Sequence, residues 1–187
     1  MDPLDLLIAD HNRVRGIFAR YQDAQDAGDT ARQAALAREM FEELAVHTTI
    51  EEEIFYPWAR SVAAELGEVI DEGLEEHHVA KTLIAEAEGL DVGSREWNAK
   101  IAVLIESVEH HAGEEESDLF PKLRHGPAAD RAGVGDDLAA RKVALGAPPL
   151  SRTLDLTTEE LRRKATEQAI PGRSTMDHDE LAATVKP

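Results

Sequence analysis

The sequence predicts an all-α protein: an antiparallel, up-down four-helix bundle with a short extra helix and a small C-terminal two-helix module. Three observations carry this expectation. Ala, Leu and Glu dominate and clusters of Val, Ile and Thr are few, a composition that favours helix over sheet. Apolar residues recur at three- and four-residue spacing through most of the chain. One stretch also occurs twice, as His47-Thr-Thr-Ile-Glu51-Glu-Glu-Ile-Phe-Tyr-Pro57 and as His111-Ala-Gly-Glu-Glu115-Glu-Ser-Asp-Leu-Phe-Pro121.

The first helix starts at Asp2-Pro3, with a carboxylate as N-cap and Pro at the first helical position. Leu4, Leu7, Ile8, His11, Val14, Phe18 and Tyr21 form its apolar stripe, which Gly28-Asp29 closes. Thr30 is the expected cap of the second helix. Its inner face includes Leu36, Met40, Phe41, Leu44, Ile50 and Ile54 and carries His47 and Glu51; Pro57 should kink or restart it. Gly67 leads into a third helix bearing Val69, Ile70, Leu74, His77, Ile84 and Leu90. Ser94 can cap the fourth, which runs through Trp97, Ile101, Leu104, Val108, His111 and Glu115 towards Pro121.

The two helices without the repeated Glu also match each other. Asp10-His11 and Glu76-His77 each have an apolar residue three before the His and a basic residue four after it, Arg15 and Lys81. That alignment selects His77 over His78, as the aromatic-Pro frame selects His111 over His110. The halves are nearly equal: 36 residues separate His11 from His47 and 34 separate His77 from His111. His and Glu four apart share one helix face. Packing two such hairpins together therefore brings four imidazoles and two carboxylates into one interior layer. Buried carboxylates without partners cost several kcal/mol, and a pair of metal ions would supply the partner. Mixed imidazole and carboxylate donors suit iron, manganese or zinc.

The chain from about Met1 to Leu145 resembles the hemerythrin-like, HHE cation-binding family, on Asp10-His11, His47-x-x-x-Glu51 with Phe-Tyr-Pro, Glu-Glu-His77, and His111-x-x-x-Glu115 with Leu-Phe-Pro. The resemblance implies a bundle holding two non-haem irons, oxo- or hydroxo-bridged. His11, His47, His77 and His111 would be terminal ligands, Glu51 and Glu115 bridging carboxylates, and the open positions would serve dioxygen, peroxide or nitric oxide. It is the resemblance that favours iron over manganese or zinc. Oxygen-carrying hemerythrins place a further His one turn after the third-helix His, and here that position is Lys81. The missing imidazole favours reaction or sensing over reversible oxygen carriage. Lys81 is read as a surface residue able to reach the site only from outside the ligand set, and His78 and His110 as lying off the metal-facing stripe.

Beyond Pro121 the character changes. Arg124-His125-Gly126-Pro127 breaks the bundle and Asp136 to Leu145 can form a short helix, so the bundle domain is set at 1–146 and a Pro-containing linker at 147–154. Residues 155–187 resemble the helix–extended loop–helix module at the N-terminus of transcription terminator Rho, akin to SAP motifs. Capping boxes at Thr157–Glu160 and Asp177–Glu180 would open helices at Leu161 to Gln168 and His178 to Val185. Arg162, Arg163, Lys164 and Arg173 are its candidates for nucleic-acid contact. Acids outnumber bases there, however, which favours a protein partner or a stabilising role.

Composition narrows the remaining classes. The chain has 187 residues, no Cys and a net charge of −18. Disulfides, thiolate metal sites and iron–sulfur clusters are excluded, and broad binding to phosphate backbones or anionic lipid is disfavoured. No apolar run approaches the roughly 18–20 residues of a spanning helix and the N-terminus is acidic, so a cytoplasmic protein with no membrane contact is expected. The expected function is a di-iron binder of oxygen, peroxide or nitric oxide, acting as sensor or scavenger. The alternatives are a peroxide-disproportionating, catalase-like enzyme at the same centre, or an iron-dependent signalling protein acting through the C-terminal module.

Overall fold

A computed structural model describes residues 2–125, 131–147, 158–168, 170–174, 176, 181, 184 and 185. Those residues hold helices and turns and no strand. Helix α1 (Pro3–Asp26) is followed by α2 (Thr30–Ile50), a π turn (Glu51–Phe55) and α3 (Tyr56–Val62). A 3-10 turn (Ala64–Leu66) leads to α4 (Gly67–Ala87). Then come α5 (Arg95–Glu114), a second π turn (Glu115–Leu119) and α6 (Phe120–His125). Helices α7 (Arg131–Ala144) and α8 (Thr158–Glu167) complete the described elements.

The ends of the helices follow from capping chemistry. Asp2 accepts from the Leu4 N–H at 3.0 Å ahead of Pro3, and Ser94 accepts from the Trp97 N–H at 3.1 Å. The cap of α2 is Asp29, which accepts from the Arg32 N–H at 3.0 Å, and the expected cap Thr30 is the first helical residue. Gly28 and Gly93 take positive φ in the two hairpin connections, where a Cβ would be strained. These short connections pack α1 along α2 and α4 along α5.

At Pro57 the second long helix passes through the π turn and restarts as α3. The Tyr56 N–H bonds back five residues to the Glu51 carbonyl, and the Phe120 N–H does the same to Glu115. Pro57 and Pro121 lack the N–H that would close the next α turn, and their rings crowd the carbonyl four residues back. The wider π turn accommodates both effects, and the chain passes through it into α3 and α6. Both carboxylates predicted as bridges are therefore the first residues of π turns.

The core falls into two clusters. One gathers Val14, Ile17, Phe18, Tyr21, Met40, Leu44, Trp97, Ile101 and Leu104 towards the hairpin turns, with the Trp97 indole donating to Tyr21 Oη at 2.8 Å. The other gathers Leu4, Leu7, Ile50, Phe55, Tyr56, Ile70, Leu119, Phe120 and Leu138. His11 falls between Leu7 and Val14, and His47 between Leu44 and Ile50, so the polar layer is closed above and below by apolar packing.

The extra helix starts at Arg131, five residues earlier than expected, and lies on α1, α2 and the first π turn. In the C-terminal part Leu161, Ala165, Ile170, Leu181 and Val185 form a small core of their own. Arg173, a nucleic-acid candidate, is used within it: Nη1 donates to the Ile170 carbonyl at 3.1 Å and Nε to Thr166 Oγ1 at 3.2 Å. The linker from 148 onward and the second capping box at 177–180 lie outside the described residues, as do the His125 side chain and His178. No helix among the described residues is long and apolar enough to cross a membrane.

Candidate metal centre

All six side chains singled out in the sequence meet in the polar layer. His11, His47, Glu51, His77, His111 and Glu115 are each buried. Nε2 of His47 and Nε2 of His77 lie 3.1 and 3.2 Å from Glu51 Oε2. Nε2 of His11 and of His111 lie 3.3 and 3.8 Å from Glu115 Oε2. One donor set comprises His11, His47, Glu51 and Glu115; a second comprises Glu51, His77 and His111, and within each set the donor atoms lie within 4.8 Å of one another. Bonds from imidazole and carboxylate donors to a divalent ion are about 2.0–2.3 Å, so the residues of each set would be able to hold one. Glu51 belongs to both sets. Glu115 belongs to the first, and its other oxygen, Oε1, accepts from Tyr56 Oη at 3.0 Å.

Each imidazole turns its other nitrogen outward to a carboxylate. His11 Nδ1 meets Glu116 at 2.8 Å, His77 Nδ1 meets Glu52 at 2.9 Å, and His111 Nδ1 meets Glu76 at 2.7 Å. His47 Nδ1 faces Asp10 Oδ2 at 3.7 Å. Such pairing fixes the tautomer that leaves the Nε2 lone pair free and raises its basicity as a ligand. Three of these carboxylates carry a cation: Arg15 on Glu116 at 2.8 Å, Lys81 on Glu52 at 2.6 Å, and Lys142 of α7 on Asp10. Among the described residues no Lys or Arg is paired with Glu76, whose neighbours are His111 and the exposed His110. Lys81 thus acts one step outside the ligand layer, and His78 and His110 are exposed off it.

The aromatic-Pro frame lines the centre. The Tyr56 ring stacks on His77 with centroids 5.6 Å apart, and the Phe120 ring on His11 at 5.9 Å. Tyr56 Oη also comes to 3.5 Å from His77 Nε2. Gly73 makes room for it, since a Cβ there would lie 2.9 Å from the phenol oxygen. The sequence reading left Tyr56 as an aromatic of the frame. Its signal was the one difference between the copies at that position, Tyr56 in the first and Phe120 in the second.

Burial dictates the electrostatics. Desolvation pushes His47 down to about 4 and His77 down to about 2, so both are neutral and able to ligate at physiological pH. Burial and the nearby Glu115 charge push Glu51 well above the usual carboxylate range. Burial opposes the charge on Glu115 too, but His11, whose Nε2 lies 3.3 Å away, and the surrounding imidazoles hold it down to about 2. Both oxygens of Glu51, Oε2 of Glu115 and Nε2 of His11 are buried without a hydrogen-bond partner among the described residues. Buried polar atoms are rarely left so. Inward lone pairs, orphaned oxygens and a repelling carboxylate pair all fit a site built around divalent cations.

The sequence matches the hemerythrin HHE cation binding domain over residues 2–123. The chain belongs to the hemerythrin HHE cation-binding family. The HHE match ends inside α6, so α7 and everything after it lie beyond it. A protein from Nostoc sp. named DNA nickase is 26% identical over 131 residues, which is 70% of this chain and 36% of that protein. The HHE chain thus spans about a third of that relative's length. No solved structure matches it.

Proposed function

We propose that this HHE protein is a soluble, cytoplasmic, dinuclear non-haem iron protein that binds dioxygen, peroxide or nitric oxide as a sensor or scavenger. His11, His47, His77 and His111 would serve as terminal ligands, with Glu51 and Glu115 between the ions. The observation that carries the reading is the sharing of Glu51 by two donor sets within one buried layer. Bound iron would supply redox chemistry and exchangeable coordination positions for small oxygen and nitrogen species. The protein's part is to keep His47 and His77 neutral, to orient every imidazole through a carboxylate, and to exclude bulk water with the two apolar clusters.

Tyr56 favours a second reading. Its hydroxyl faces the centre, donating to Glu115 Oε1 at 3.0 Å and lying 3.5 Å from His77 Nε2. A positioned phenol can hand over a proton when a bound oxygen species is reduced, which supports catalase-like peroxide turnover as the alternative. DNA nicking, named for the Nostoc relative, is not carried over. The net charge of −18 opposes a phosphate backbone, and supercoiled plasmid incubated with the iron-loaded protein is expected to stay supercoiled.

Elemental analysis of the purified protein, with visible spectra in air, under reduction and with added peroxide, tests the proposal. Two irons per chain with absorption that bleaches on reduction and recovers in air are expected; fewer than one iron, or zinc in its place, would overturn it. Oxygen evolution on adding peroxide would select the enzyme over the binder.

A further inference from the structure

The charged groups behind the imidazoles correspond between the two halves of the centre, with one exception. Arg15 lies four residues after His11 and holds Glu116, while Lys81 lies four after His77 and holds Glu52. Asp10 precedes His11 and faces His47, while Glu76 precedes His77 and meets His111. The correspondence fails at the next contact. Lys142 reaches Asp10 from α7, an element outside both half-bundles and beyond the HHE match, and among the described residues Glu76 has no such cation.

The Lys142 contact is built into the protein rather than laid on its surface. Lys142 and Asp10 are 5% and 2% exposed. Leu138, one turn earlier on α7, belongs to the same apolar cluster as Leu4, Leu7 and Phe55. Lys142 takes one Asp10 oxygen, Oδ1, and leaves Oδ2 directed at His47 Nδ1. Both of those facing atoms, 3.7 Å apart, are buried and have no hydrogen-bond partner among the described residues, so each is the natural complement of the other. A cation bound at His47 Nε2 draws electron density from the ring and strengthens the outward N–H as a donor. Asp10 is the acceptor in place, and Lys142 fixes its orientation.

We propose that Lys142 is a positioning residue for the ion on the His11/His47 side, acting through Asp10 and His47. The two ions are then bound unequally, and one of them depends on the docking of α7. This rests on the dinuclear reading above. Binding linkage makes the dependence reciprocal: loading that ion tightens α7 on the bundle.

Anaerobic titration of the metal-free full chain with Co²⁺, followed by its visible absorption, tests both statements separately. The wild-type chain is expected to take up two Co²⁺; uptake of fewer overturns the dinuclear reading itself. In an H77A background, which retains the His11/His47 side, K142M is expected to weaken the remaining Co²⁺ by about 10- to 100-fold, the range typical of groups that orient a ligand. In an H11A background, which retains the His77/His111 side, K142M should change affinity by less than about twofold. K142R should restore affinity in the first background, and D10N should reproduce the K142M loss and add little to it.

A loosened helix alone would behave differently. Glu53→Gln removes the paired contacts of Arg141 on Glu53, at 2.7 and 3.0 Å, without touching Asp10. It should leave Co²⁺ affinity near wild type. In hydrogen exchange, residues 131–144 should be slowed by Co²⁺ in the wild-type chain and in K142R but not in K142M. Circular dichroism of each metal-free variant verifies that it folds, and K142Q, which keeps a hydrogen-bond donor without the charge, stands in for K142M if the latter does not. Equal weakening on both sides, loss in E53Q equal to that in K142M, or α7 exchange indifferent to Co²⁺ would overturn the proposal.

Discussion

The Tyr56 hydroxyl donates to Glu115 Oε1 at 3.0 Å, tying the helix that begins after the first π turn to the carboxylate that opens the second. Both partners are buried. A hydrogen bond to a charged acceptor contributes about 1.5–3 kcal/mol, and removing its donor leaves a buried oxygen unsatisfied. Tyr56→Phe is expected to lower the unfolding free energy of the metal-free protein by about 1–3 kcal/mol in urea titration. Metal content should stay at the wild-type value while peroxide reactivity falls.

Gly73 and Tyr56 should prove energetically coupled. An Ala at position 73 improves helix propensity by about 1 kcal/mol, but its Cβ would lie 2.9 Å from Tyr56 Oη and 3.4 Å from His111 Cε1. Gly73→Ala is expected to destabilise the wild-type protein and to cost distinctly less in a Tyr56→Phe background. Equal costs in a double-mutant cycle would mean that the phenol yields freely.

The shared carboxylate is a burden without metal. Burial and the Glu115 charge disfavour its ionised form, so Glu51→Gln should abolish binding of both ions and yet raise the melting temperature of the metal-free protein by a few degrees, where about 1 kcal/mol corresponds to roughly 2–4 °C in a chain of this size. Calorimetry of the two metal-free proteins checks this. A lower melting temperature for the variant would mean that Glu51 is satisfied by other contacts.

Acid should unfold the metal-free protein over a defined window. His47 and His77, at about 4 and about 2 when folded, lie below the ordinary imidazole value of about 6.5. Between those values the unfolded chain binds more protons, so stability falls as pH is lowered. Glu115, held down to about 2, acts in the same direction below its ordinary range. The raised values of His11 and Glu51 act in the opposite direction, since each takes up its proton more readily when folded. The expected sum is a loss of stability from about pH 6.5 towards pH 4, measurable by urea midpoints at fixed pH, and bound metal should be released in the same range.

Replacing His47 or His111 with Ala should remove most of one metal equivalent, whereas His78→Ala and His110→Ala should leave content near two, because both side chains are exposed off the ligand layer. Elemental analysis distinguishes the two groups. Parity among the four variants would contradict the donor sets described above.

The convergence of the six side chains was legible because the sequence repeats itself. The duplicated frame chose His111 over His110 and the aligned Asp10-His11 and Glu76-His77 chose His77 over His78, and all six residues converge as that reading requires. What surrounds the layer was only half legible. The acids before His11 and His77 and the bases four residues after them stood out as a pattern, but their partners did not. Asp10 serves His47 and Glu76 serves His111, while Arg15 and Lys81 hold acids on other helices. Spacing along one helix reports which side chains share a face, and it is silent about the neighbour that face will meet. Lys142 lay furthest from view, since nothing in α7 repeats and a lone Lys in a charged helix reads as solvated. Pro57 announced a local disturbance without its form: a proline predicts a lost hydrogen bond, and the chain takes up that loss in a wider turn before α3.

That widening sets the phase of each long helix. Five residues along a regular α-helix is about 140° round from the start, so Tyr56 would swing away from Glu51 and Phe120 away from Glu115. The surplus residue winds both rings back over the imidazoles. A His-x-x-x-Glu pair with the same five-residue spacing to its aromatic, transplanted onto a straight helix, would arrive without them.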